Sequence, residues 1–154
     1  MTKHISSLVA LLTLSSASLH AQQQPLVGAW LVNFQAGMRI EDGMATPLFA
    51  TGTLTIQPVA DSLIGTLATN PAPDMPARPP VRLAAKASTG EATFVAHSKA
   101  TINVNGAEHE ANVVSTWVLR AKGDSLEGTV ARKIDSPDAG PQEPRPVTGT
   151  RKKE

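Results

Sequence analysis

Residues 92–120 read ATFVAHSKATINVNGAEHEANVVSTWVLR, two alternating runs on either side of Asn105-Gly106. Asn-Gly between such runs is the strongest short hairpin signal, because both central residues of a type I′ turn take positive φ. With those two as the loop, Val104 faces Ala107, followed by Ile102 with His109, Ala100 with Ala111, Ser98 with Val113, Ala96 with Ser115 and Phe94 with Trp117. Every member of this face is small or apolar except His109. The other face pairs Asn103 with Glu108, Thr101 with Glu110, Lys99 with Asn112 and Glu91 with Arg120, and it belongs in water. A slip of one residue would exchange the two faces, so the pattern defines the inward side.

The same test extends in both directions. Upstream, Thr89-Gly90 as a loop pairs Ala87 with Ala92, Ala85 with Phe94, Leu83 with Ala96 and Val81 with Ser98, and the inward sets agree. Downstream, a Lys122-Gly123 loop pairs Leu119 with Leu126 and Trp117 with Gly128; moving that loop by one position on both sides keeps the same inward face. A repeat supports the hairpin reading: Asp61-Ser62-Leu63-Ile64-Gly65-Thr66-Leu67-Ala68 recurs as Asp124-Ser125-Leu126-Glu127-Gly128-Thr129-Val130-Ala131, each copy following an alternating run.

No stretch beyond residue 21 keeps helical apolar periodicity, whereas period-two runs between turn signals predict strands near 28–34, 48–58, 62–69, 80–88, 91–104, 107–120, 124–134 and 145–152. Eight strands in meander order predict an all-β, antiparallel up-and-down barrel, since closure removes exposed edges. Phe94, Ile102, Val113, Trp117, Leu126 and Val130 are its expected interior. Three longer connections, Gln35 to Pro47, Asn70 to Pro79 and Asp135 to Pro144, form its expected lips, with Glu41-Asp42-Gly43 able to extend the strands that flank it.

Gly28-Ala29-Trp30 opens the first strand, and Val147-Thr148-Gly149-Thr150-Arg151 closes the last with a basic residue. This arrangement resembles the lipocalin-like, or calycin-type, small barrels, in which a Gly-x-Trp of the first strand packs across the barrel end near a cation of the last. The repeated Gly-Thr-Leu and Gly-Thr-Val hairpins are similar to those of secreted bacterial members of that group. The resemblance implies the fold and a Trp30–Arg151 contact, not a particular ligand. The central lipocalin motif is not recognisable, and the absence of Tyr leaves no avidin-like ligand shell.

Residues 1–21 carry Lys3 and His4, an apolar stretch from Ile5 to Leu14, then Ser15-Ser16-Ala17-Ser18-Leu19-His20-Ala21. These are the three regions of a Sec-type signal peptide, too short to span a bilayer, which predicts a single mature domain over 22–154 in the periplasm or outside the cell. With no Cys there is no lipid anchor, disulfide framework, thiol nucleophile or thiolate metal site. Lys3 is the one charged residue of the leader, so the 14 basic and 13 acidic residues of the whole chain become a balanced mature domain. Without a basic excess, and with 3% aromatics, nucleic acid and anionic membrane are not expected partners.

The inward list is small: Ala85, Ala87, Ala92, Ala96, Ala100, Ala107 and Ala111 with Ser98 and Ser115. Such a lining either lets the walls touch or leaves room for one small ligand. The first reading is non-catalytic binding of a small apolar molecule, with Phe94 and Trp117 as walls and Ser98, Ser115 and His109 as polar handles. The second is a filled scaffold that captures another exported protein through its lip loops or through an outer apolar stripe of Ala84, Val95, Val114, Thr116 and Val118, unless a lip segment covers that stripe. No nucleophile elbow, His-Glu-x-x-His or phosphate loop is present, and no cofactor is expected. A dyad of Ser98 and His109 fails on distance, at roughly 13 Å along the strand. Glu108-His109-Glu110 turns its carboxylates away from its imidazole, so no metal site is expected there.

Overall fold

The computed structural model describes residues 25–73, 75–88, 90–104, 107–136 and 142–153, apart from the side chains at 39–41 and 102–104. The expected leader, the Asn105-Gly106 turn, Thr89 and the side chain of Ile102 lie outside the described residues. Period-two alternation produces eight strands: β1 (Gly28–Glu41), β2 (Met44–Val59), β3 (Ser62–Thr69), β4 (Val81–Lys86), β5 (Ala92–Val104), β6 (Ala107–Lys122), β7 (Ser125–Ile134) and β8 (Arg145–Arg151). They form a closed antiparallel barrel in meander order, with β8 returning to β1. No helix of the described residues is long and apolar enough to cross a membrane.

Alternation sorts each strand between core and solvent. On β6, Ala111, Val113, Ser115, Trp117 and Leu119 are buried, while Asn112 and Arg120 are exposed. The β5–β6 hairpin has the register expected from its turn, from Ala92 opposite Leu119 to Val104 opposite Ala107. Ala84 lies opposite Val95, the register that a Thr89-Gly90 loop requires. On the outer face Lys99 pairs with Glu110 at 2.6 Å and Arg120 with Glu91 at 3.3 Å. Exposed pairs of this kind contribute ~0–1 kcal/mol each, so the barrel stands on its core.

The two ends of the barrel differ. At the end where β1 begins, Leu26, Trp30, Ile56, Leu63, Leu119 and Leu126 are fully buried, each Leu or Ile stabilising by about 1.5–3 kcal/mol. Trp30 Nε1 donates to Leu26 O at 2.9 Å, and the Arg151 guanidinium lies 4.2 Å from the indole centroid. Arg151 Nη1 and Nη2 donate to Val27 O and Pro25 O, both at 2.9 Å, sealing the entering chain across this end. Gly28 makes the seal fit: its φ is 130°, and a Cβ there would lie 2.7 Å from Arg151 Nη1.

Four expectations are corrected. The stretch from Gln35 to Pro47 is not a loose connection, because Asp42-Gly43, with φ of 52° and 77°, forms a tight turn of the I′ kind and lets β1 and β2 pair out to Glu41–Met44. A register shift between Gln35 and Gly37 bulges that ribbon. The β6–β7 loop is Gly123-Asp124 rather than Lys122-Gly123, so Trp117 faces Val130 and Gly128 faces Leu119. Gly123 has φ 57°, and a two-residue turn with glycine at its first central position is the II′ form. Ala87 is exposed, because β4 ends at Lys86 and the Ala87 amide turns to donate to Asp61 O.

The fourth correction concerns the length of the central hairpin. β6 stays paired with β7 only as far as Val113–Ile134, while β5 and β6 run on together to Val104–Ala107. Along Ala107–Glu110 the hairpin therefore overhangs the rim, and both faces of that stretch of β6 meet water. Ala107, Glu108, His109 and Glu110 are all exposed.

Candidate functional site

At the end opposite Trp30 the inward residues shrink to Ala96, Ser98, Ala100, Val113 and Ser115, and the barrel encloses a cavity of about 420 Å³. Phe34 and Trp117 stand edge to face in its wall, with ring centroids 5.1 Å apart and planes at 68°. Leu67, Val81 and Ile134 complete the apolar lining. The Asn70–Pro80 connection folds across the opening: a Met75–Ala72 backbone bridge, with bonds of 2.8 and 2.9 Å, brings Met75 into the core cluster. Prolines at 71, 73, 76, 79 and 80 restrict that segment at φ.

Of the residues expected to bind, Ser98, Ser115 and Trp117 come together in this lining. Phe94 is buried in the core but does not line the cavity, and the second aromatic wall is Phe34. His109 is exposed on the overhanging hairpin and does not reach the cavity. Among the described residues no three His, Asp or Glu side chains gather as metal ligands, and Glu108 and Glu110 are exposed beside His109.

Sequence reasoning missed Arg132. It lies opposite Ser115 on β7 and lines the cavity, half-buried, with Nη1 donating to Gln35 O at 3.0 Å. The bulge at Gln35–Gly37 carries that carbonyl, and bulges commonly re-aim a group at a site. Burial first, then the charge of Arg78, holds the Arg132 pKa below the usual guanidinium value. The signal was available: if Val130 faces inward, so does Arg132 by parity, as Phe34 does from Trp30. Met75 had no comparable signal, because a proline-rich connection has no period.

The electrostatics of the cavity are one-sided. Arg78, Lys99 and Arg132 contribute to its lining, and among the described residues no Asp or Glu does. Lys99 is already engaged with Glu110, whereas among the described residues no carboxylate lies within ion-pair distance of Arg132. Trp117 Nε1 is buried and has no acceptor, in contrast to the satisfied Nε1 of Trp30. An unmet buried donor costs about 1–3 kcal/mol, but this one is closed off from the cavity space, so it is Arg132 that brings to the lining a charge without a described counter-ion.

Outside the barrel, Ala84, Val95 and Thr116 lie side by side across β4, β5 and β6, with Val114 and Val118 flanking. Val95 is 38% exposed. The residues from Gln35 to Pro47 do not fold over this stripe, since they extend β1 and β2.

No protein-family model and no curated protein matches the sequence. Among solved structures the chain is similar to Rv2717c from M. tuberculosis, with a TM-score of 0.50 and 11% identity over 84% of this chain and 94% of that one. It is also similar to the M. tuberculosis PknI sensor domain in its monomer form, with a TM-score of 0.47 and 14% identity over 82% and 87% of the two chains. At 11% identity the likeness to Rv2717c is one of fold, a small antiparallel β-barrel.

Proposed function

We propose that this protein binds a small, largely apolar molecule without transforming it, inside the barrel. The observation that carries the reading is the cavity of about 420 Å³ walled by Phe34, Leu67, Val113 and Trp117. Ligand pockets span about 300–1,000 Å³ and combine apolar walls with a few placed polar groups. Ser98 and Ser115 supply such groups here. We further propose that residues 1–21 are an export signal, that 22–154 are a lipocalin-like mature domain, and that binding takes place in the periplasm or outside the cell.

The test is native mass spectrometry of the full chain purified from its own host, followed by calorimetric titration with 1-octanol and 2-naphthol. A bound mass, or saturable binding of either probe, that disappears in Ala96→Phe is the expected result, because Ala96 lines the cavity and a phenyl ring would fill it. Absence of any bound mass, together with no binding of either probe or of its carboxylic acid counterpart, would overturn the reading.

A second reading rests on the exposure of Val95 at the centre of the outer stripe. In it another exported protein docks over Val95, Val114, Thr116 and Val118. Val95→Lys with Val118→Lys would then abolish capture of that partner while the denaturation midpoint stays near wild type. Loss of folding would instead assign the stripe to the protein's own core.

A further inference from the structure

Two features of the cavity act in one direction. Its cations have no carboxylate among the described lining residues, although the chain as a whole carries 14 basic and 13 acidic residues. Arg132 is taken out of water with a single backbone carbonyl, that of Gln35, as its described partner. Directly opposite strand neighbours have Cβ atoms about 4.5–5.5 Å apart, so Arg132 and Ser115 reach the same point of the wall, with Trp117 two residues further along β6 on the same face. An uncharged hydrocarbon would leave all these donors unmet. A ligand carrying acceptors and negative charge would satisfy them.

Resting on the binding reading above, we propose that the occupant is an amphipathic organic anion. Its acidic head accepts hydrogen bonds from Arg132 and the Ser115 hydroxyl, and its apolar body packs against Phe34, Leu67 and Val113. Arg132 is suited to the head because its planar fork presents parallel donors to a carboxylate or similar group, and because it remains charged despite burial. Arg78 at the lid adds a second positive charge. The Gln35 carbonyl holds one end of the guanidinium in place before the ligand arrives, which reduces the ordering cost of binding.

The test compares matched acids and neutral analogues on the full chain by calorimetry: octanoate against 1-octanol, and 2-naphthoate against 2-naphthol, with sodium acetate as the head alone. At least one acid should bind about tenfold to a hundredfold more tightly than its neutral partner, the range a charge-assisted hydrogen bond supplies. That preference should vanish in Arg132→Met and survive in part in Arg132→Lys, with circular dichroism confirming that each variant is folded. Equal binding of acid and neutral partner, or a preference untouched by Arg132→Met, would overturn this inference and leave the apolar pocket standing. Acetate binding as tightly as the acids would show a bare anion site and overturn the amphipathic claim. If neither acids nor neutral compounds bind, the pocket reading itself fails and takes this one with it.

Discussion

Ala60 and Gly123 occupy the same position of the same turn, at the start of the two copies of the repeated hairpin, with φ of 53° and 57°. Glycine adopts this left-handed region without strain, whereas an L residue with a Cβ does so at a cost of about 1–2 kcal/mol. Ala60→Gly is therefore expected to stabilise the barrel by about 1 kcal/mol, after the greater freedom of glycine in the unfolded chain is offset. Gly123→Ala should destabilise by a similar amount through backbone strain alone, because nothing lies within 4 Å of the Cβ it would add. Urea denaturation midpoints of the two variants, moving in opposite directions, check the pair.

The two tryptophans should respond differently to loss of their N–H. Trp30→Phe removes the 2.9 Å bond to Leu26 O and strands a buried carbonyl, whereas Trp117→Phe removes a donor that already lacks an acceptor. The expected outcome is that Trp30→Phe costs about 1–3 kcal/mol more than Trp117→Phe. Equal losses in denaturant would contradict the assignment of Trp117 Nε1 as an unmet donor.

Arg151→Lys keeps the charge at the sealed end but loses the forked donation to Val27 O and Pro25 O. Charge-assisted bonds to a guanidinium are worth ~1.5–3 kcal/mol, and an ammonium can replace one of the two. A loss of stability accompanied by a shift in Trp30 fluorescence is expected, since the cation over that indole moves. Equal stability of Lys and Arg would mean that charge alone holds the seal.

His109→Ala should change neither stability, within ~0.5 kcal/mol, nor ligand affinity, because the side chain stands in water on the overhanging hairpin. Ser98 and Ser115, on the same face of the same hairpin but below the rim, are the polar residues whose removal should weaken binding. Parallel titrations of His109→Ala and Ser115→Ala measure where the rim lies.

That contrast also marks how far the sequence is legible. The hairpin from Ala92 to Arg120 could be read in register because a short turn and a period of two leave little freedom. The same period placed His109 correctly opposite Ile102 yet said nothing about where β7 stops supporting β6, so a correct parity became a wrong environment. The β6–β7 register depended on which central position Gly123 takes, a choice that both turn geometries allow at the level of composition. Arg132 was legible by parity but contradicts the rule that inward residues are apolar, and such departures are where a site tends to lie. Met75 enters the core from a segment without any repeat, and only three-dimensional packing reveals it.

The barrel wall has its shortest described ladder where β4 meets β5. Among the described residues a single ladder pair, Ala84 with Val95, joins these strands, while β1 and β8 share a ladder from Trp30–Arg151 to Phe34–Val147. Lys99 and Thr101 lie on the outer face of β5 yet border the cavity together with Arg78 and Pro79, so the hollow opens sideways beside this seam. Amides there should exchange with deuterium faster than those of β6, whose ladders on both sides must break together. Were the pocket occupied as proposed, the occupant would come and go by parting two strands, with the proline-stiffened cover left in place.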